Sequence, residues 1–128
     1  MASRSKADLN PVLVQAYDKA VEKYEQTYPN APQPFLTCTY RSNEEQEILF
    51  KKRPKVTNAR AGQSPHNYKP SYAFDIAFIG VDKKLDWSPK LFKNFANIIA
   101  ENSQVEWGGN WKFKDAPHFE LKGWRSML

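Results

Sequence analysis

The chain has only two histidines, His66 and His118, and both stand in unusual local sequence. His66 lies in Gln63-Ser64-Pro65-His66-Asn67-Tyr68, and Asp75 follows it within the alternating run Ala73-Phe74-Asp75-Ile76-Ala77. His118 lies in Asp115-Ala116-Pro117-His118-Phe119-Glu120. Two imidazoles and one carboxylate suit catalytic zinc, which takes three N or O ligands and keeps a fourth position for water. One carboxylate with two neutral imidazoles leaves a zinc site net positive, so water there can titrate near ~7. Asp115 precedes His118 with Pro117 stiffening the link. That spacing can put a carboxylate beside a metal without ligating it, in the place of a general base. Glu120 is the weaker candidate for that role, because a strand sets it on the His118 face about 7 Å further along.

These residues need a frame. Leu9, Leu13, Ala16, Ala20 and Tyr24 recur at helical spacing and predict a helix over 10–27, with Asn10 or Asp8 as cap and Pro11 in the first turn. A strand is expected at 35–40. Ser42 and Glu45 then form a capping-box pair, so a second helix should run over 43–53 and stop before Pro54. Residues 54–72 hold Pro54, Gly62, Pro65 and Pro70 and read as a long functional loop. In Ala73–Ile79, Phe74, Ile76 and Phe78 point one way, leaving Asp75 between two alanines on the other face. A turn or short hairpin is expected over 80–86. Ser88-Pro89 opens a third helix with Leu91, Phe92, Phe95, Ile98 and Ile99 inward, ending near Asn102. Short strands are expected at 104–107 and 117–121, separated by a Gly108-Gly109 turn. The order implies an α+β domain: a small, mainly antiparallel sheet flanked by about three helices.

With 128 residues the chain is expected to be a single domain, 1–128, large enough for a core that needs no metal to fold. A single cysteine, Cys38, excludes an intrachain disulfide and a cysteine-ligated zinc finger; its strand context predicts an ordinary buried side chain. No segment has the apolar length of a membrane span, and Met1 to Lys6 does not open a signal peptide, so cytoplasmic synthesis is expected. The net charge of +5 favours anionic surfaces, but no helix concentrates a basic face and no nucleic-acid recognition motif occurs.

Ser64-x-His66, Ala73-x-Asp75, Trp107-Gly108-Gly109-x-Trp111 and Asp115-x-Pro117-His118-Phe119 together resemble the zinc D,D-peptidase-like group. The phage L-alanyl-D-glutamate peptidases used as endolysins are the nearest in pattern. Arg41-Ser42-x-x-x-Gln46, Asn58-Ala59-Arg60-Ala61-Gly62-Gln63 and Leu9-Asn10-Pro11 extend the resemblance over nearly the whole chain. It implies a hedgehog/D,D-peptidase-like fold with one zinc ion per chain held by His66, Asp75 and His118. It implies Asp115 as base, Arg41 as the partner of the developing oxyanion, and Ser64 and Gln46 as substrate-holding residues. Trp107 and Trp111 would shape the site by packing.

The implied activity is hydrolysis of the L-Ala–D-Glu bond of bacterial peptidoglycan, by a monomer made in the host cytoplasm and released onto the wall at lysis, with no stable membrane association. A D-Ala-D-Ala carboxypeptidase on the same fold and a non-catalytic, zinc-stabilised wall-binding module are the other readings. Two departures stand out. Lys69-Pro70-Ser71-Tyr72 lengthens the interval from His66 to Asp75, and Asp115 stands where some relatives carry Glu.

Overall fold

The computed structural model describes residues 2–128. Helix α1, Pro11–Thr27, begins where Asn10 caps the Val12 amide (2.9 Å) and Pro11 fills the first turn, a position that needs no N–H. Strand β1, Gln33–Cys38, follows the proline-rich break. Helix α2, Asn43–Lys51, opens on the expected capping box: the Glu45 amide donates to Ser42 Oγ, and the Ser42 amide donates to the Glu45 carboxylate. Strand β2 is Ala73–Ile79, helix α3 is Pro89–Ile99, and strands β3 and β4 are Val105–Trp107 and His118–Leu121.

The sheet order is β1-β2-β4-β3, and every neighbouring pair is antiparallel. The α+β expectation is therefore met. β1 starts two residues earlier than 35 and includes Pro34. An edge strand tolerates this, because the missing N–H faces no partner strand. The turn after β2 closes through an antiparallel bridge between Ile79 and Leu85, and α3 ends at Ile99 rather than near Asn102.

Helices α1 and α3 cover one face of the sheet. Leu13, Tyr17 and Tyr24 of α1 and Phe92, Phe95 and Ile99 of α3 meet Phe74, Ile76, Phe78 and Phe119 in one buried cluster. Phe95 is its centre, with ring contacts to Tyr17, Tyr24, Phe78 and Phe119 and no exposed surface. Truncating such a ring to alanine costs about 3–5 kcal/mol. Because α1 and α3 cover this face and hold most of the core, the opposite face is free to carry polar chemistry. Among the described residues no helix is long and apolar enough to cross a membrane.

The registers fix what that polar face presents. Asp75 of β2 pairs with His118 of β4 on one side and with Cys38 of β1 on the other. The β1 partner is set by a bulge between Leu36 and Cys38. Leu36 opposes Ile76, so an unbroken ladder would place Thr37 opposite Asp75; the extra residue brings Cys38 there instead. Residues 69–72 are drawn away from this row. Ser71 forms a parallel bridge with Leu9, its amide donates to the Asp8 carbonyl (2.7 Å), and Lys69 pairs with the Asp8 carboxylate (3.4 Å).

Candidate active site

His66 reaches the row from the loop before β2. It sits in a short 3-10 turn, Pro65–Asn67, whose start is capped by Ser64: the His66 amide donates to Ser64 Oγ (3.2 Å), and the Ser64 amide donates to Asn67 Oδ1 (3.1 Å). The Arg41 amide donates to the His66 carbonyl (2.8 Å), tying this turn to the end of β1. As a result His66 Nε2 lies 3.2 Å and His118 Nδ1 lies 3.0 Å from the same oxygen of Asp75, with the two ring centroids 5.2 Å apart.

The outward nitrogens are also occupied. His66 Nδ1 is 2.8 Å from the Thr39 carbonyl, and His118 Nε2 is 2.7 Å from Glu120 Oε1. Both oxygens accept, so each ring places an N–H outward and keeps its inward nitrogen as a lone pair once neutral. This outer support is what metal-ligating histidines ordinarily have, and it selects the tautomer that ligation requires. Two imidazole nitrogens and a carboxylate oxygen converge from buried or half-buried positions, a donor set that fits zinc. Glu120, the weaker candidate for a base, is bound to the back of His118 and orients it.

The electrostatics are those of a paired cluster. Burial presses the His66 imidazolium down, but the charge and hydrogen bond of Asp75 prevail, with help from Cys38, and raise it to about 10. Burial likewise opposes charge on His118, and its bonds to Asp75 and Glu120 raise it to about 9. Burial pushes the Asp75 carboxyl up, yet the two imidazoles hold it well below the usual carboxylate range. Without a metal these rings therefore hold protons at neutral pH.

Arg41 comes off the end of β1. Its Nη2 lies 3.9 Å from Asp75 Oδ2 and 3.6 Å from Cys38 Sγ, and its Nη1 donates to Gln46 Oε1 (3.1 Å). Gln46 was expected to hold or orient substrate. It is 1% exposed, its amide nitrogen is spent on the Ala59 carbonyl (2.8 Å), and its oxygen serves Arg41, so it has no surface to offer a substrate. Its effect on the site passes through Arg41 and the 54–67 loop. Asn67, which the sequence reading passed over, binds the Arg41 carbonyl through Nδ2 (3.0 Å) and the Gly62 and Ser64 amides through Oδ1. The Ser64-x-x-Asn67 spacing is a capping pattern that could have flagged it. Cys38 is buried as expected, but its setting is richer than its strand context suggested: Sγ lies 3.6 Å from His66 Nδ1. Ligand atoms of Cys38, His66 and Asp75 lie within 4.8 Å of one another.

Asp115 arrives on the loop between β3 and β4. The loop turns at Gly108–Asn110, a 3-10 turn in place of the expected simple turn. The Asp115 amide donates to the Gly108 carbonyl (2.9 Å), and the Asp115 carbonyl accepts from the His118 amide (3.1 Å). Gly108 is required by proximity: a Cβ there would lie 2.5 Å from the Asp115 carbonyl oxygen. Trp107 anchors the same loop by donating to the Ala116 carbonyl (2.7 Å), and Trp111 lays its ring beside His118 (5.2 Å) while donating to Glu106 (3.2 Å). Both tryptophans hold this wall of the site by ring contacts together with an indole hydrogen bond. The Asp115 carboxyl is pushed up by partial desolvation in the cleft and by the Asp75 charge, against the pull of His118, His66 and Arg41. A carboxylate with raised proton affinity, coupled to all of these groups, is suited to accept and return a proton.

Arg41, Ser64, His66, Asp75, Asp115 and His118 share the lining of one cleft of about 670 Å³. Ser64 is nearly buried, with Oγ engaged as a cap, so only its edge meets the cleft.

A family profile described as D-alanyl-D-alanine carboxypeptidase matches residues 57–121. That span contains His66, Asp75, Asp115 and His118 and omits Arg41 and Gln46. The peptidoglycan L-alanyl-D-glutamate endopeptidase CwlK of Bacillus subtilis (strain 168) is 38% identical over 100 residues, covering 67% of this chain. The chain spans 59% of the length of that relative. The crystal structure of Serratia marcescens L-Ala D-Glu endopeptidase ChiX superposes with a TM-score of 0.73, covering 100% of this chain and 93% of the other at 21% identity, which shows a common fold.

Proposed function

The chain belongs to the D-alanyl-D-alanine carboxypeptidase family, and from that premise we propose that it is a zinc-dependent peptidoglycan endopeptidase cleaving the L-Ala–D-Glu bond of stem peptides. The observation that carries this reading is the convergence of His66 Nε2, His118 Nδ1 and Asp75 Oδ1 at the base of a cleft that also holds Asp115. The named activity of the Bacillus relative supplies the choice of bond.

His66, Asp75 and His118 are the proposed ligands of one zinc ion. When bound, zinc supplies Lewis-acid chemistry, polarising the peptide carbonyl and acidifying water. The Thr39 carbonyl and Glu120 hold the two imidazoles in the required tautomer. Cys38 is the alternative to His118 as third ligand. Its sulfur approaches His66 from the Nδ1 side, the nitrogen already bound to Thr39, and this favours His118. Asp115 takes the proton of the attacking water and delivers it to the leaving amine. Arg41, held by Gln46, faces the negative oxygen that develops on the carbonyl; a fixed guanidinium stabilises such charge without reorganising. Ser64 lines the substrate side and keeps His66 in place. The further role of a phage endolysin, made in the host cytoplasm and acting as a monomer on the wall at lysis, rests on the sequence resemblance alone.

Digestion of purified peptidoglycan tests the reading. New N-terminal glutamate ends, abolished by chelation and restored by zinc, are expected. The family description favours a second reading, D-Ala-D-Ala carboxypeptidase, and release of free D-alanine in the same digest would replace the first with it.

A further inference from the structure

We propose that Arg125 forms a carboxylate subsite in the cleft, reading a free acid group on the substrate residue whose amino group forms the scissile bond. The inference rests on the endopeptidase reading and deepens it.

Two guanidinium groups line the cleft, Arg41 and Arg125. Arg41 is committed to Gln46, Cys38 and Asp75. Arg125 has no carboxylate within ion-pair distance among the described residues; its guanidinium carbon lies over the ring of Trp124, 4.7 Å from the ring centroid. That ring is a fixed platform. Trp124 is 4% exposed and packs on Tyr68 (5.9 Å) and Tyr72 (6.3 Å), and the Tyr68 hydroxyl donates to the Gly62 carbonyl on the facing loop (2.7 Å). Gly123, at φ +68°, turns the chain out of β4 so that Trp124 points inward while Arg125 stays exposed at the cleft. A guanidinium over an indole keeps its N–H donors in its own plane, where they can grip a carboxylate through two parallel bonds.

The remaining charge in the cleft explains why such a group is needed. Asp75, Glu106, Asp115 and Glu120 all line it. A substrate carboxylate entering there meets acids unless a cation receives it. A glutamate joined through its amino group at the scissile bond keeps two carboxyls, and the peptide continues through at most one. The other is a free acid a few bonds from the reacting carbonyl, and Arg125 is the cation lining the cleft that has no carboxylate partner among the described residues.

The test uses two synthetic peptides containing the L-Ala–D-Glu bond, identical except that the carboxyl outside the chain is free in one and amidated in the other. The zinc-loaded full chain is compared with Arg125→Gln and Arg125→Lys. The wild type should prefer the free acid by about ten- to a hundredfold in kcat/KM, the range of a charge-assisted hydrogen bond. Arg125→Gln should bring that ratio close to one, chiefly through a higher KM for the acid, and Arg125→Lys should keep part of it. Equal cleavage of both peptides by the wild type, or an undiminished preference in Arg125→Gln, overturns the subsite and leaves the endopeptidase reading intact. No cleavage of either peptide or of the wall by the wild type refutes that reading, and the subsite with it.

Discussion

Replacing Gly108 with alanine perturbs the proposed base without replacing any titratable group. The added Cβ would lie 2.5 Å from the Asp115 carbonyl oxygen and 3.1 Å from its Cβ. Reaching an ordinary 3.4 Å contact requires the Asp115 backbone to retreat by about 0.9 Å from the oxygen clash alone. That backbone is held on both sides, by the Gly108 carbonyl and by the His118 amide, so it cannot retreat freely. A displacement of about 1 Å in a catalytic group costs roughly a hundredfold in rate, or about 2.7 kcal/mol of barrier. Overpacking itself should cost about 1–3 kcal/mol of stability. Gly108→Ala should therefore lower kcat about a hundredfold with little change in KM, while one zinc per chain remains. Steady-state kinetics on an L-Ala–D-Glu peptide, zinc analysis and thermal unfolding read the three quantities. Near-wild-type turnover with intact metal would refute the placement of Asp115 as base. Loss of zinc in parallel with rate would show that the strain runs into His118 instead.

Gln46→Ala strands Arg41 Nη1 and the Ala59 carbonyl, so it should cost about 1–3 kcal/mol in unfolding experiments and lower kcat about tenfold with KM unchanged; a raised KM at constant kcat would instead make Gln46 a substrate contact. His118→Ala should lose zinc and Cys38→Ala should keep it, as read by metal analysis after dialysis; the reverse outcome would move the third ligand to Cys38. With His66 raised to about 10 and His118 to about 9, zinc loading at pH 7 should release about two protons, one per imidazole, measurable by titration calorimetry in buffers of different ionisation enthalpy. The same shifts set the metal-free protein's pH profile. Both folded-state values lie above the unfolded histidine value of about 6.5, so this stabilisation is complete below pH 6.5 and is lost as pH rises through 9 and 10. A melting temperature that climbed over that range would contradict it.

Local pattern made much of this legible before the fold was known. The strict alternation of Ala73–Ile79 set Phe74, Ile76 and Phe78 into the core and Asp75 onto the other face, and the antiparallel register then placed His118 beside Asp75. The helical stripes of α1 and α3 likewise marked Leu13, Tyr24, Phe92 and Phe95 as inward-facing, and all four are in the core. What stayed hidden depends on chain segments far apart in sequence. The bulge that brings Cys38 opposite Asp75 is a property of the β1–β2 pairing, invisible in β1 alone. Gln46 looks like a solvated helix residue until the 54–67 loop folds over it and supplies the Ala59 carbonyl. Glu120 was legible as sharing a face with His118, but its bond to the ring depends on the rotamers of both.

Separating metal binding from turnover at one residue tests the central claim most directly. Asp115 is the proposed base and is no ligand, so Asp115→Asn should keep one zinc per chain and lose nearly all release of new glutamate amino termini from peptidoglycan. An Asp115→Asn variant that digests the wall at the wild-type rate with full metal content would contradict the account.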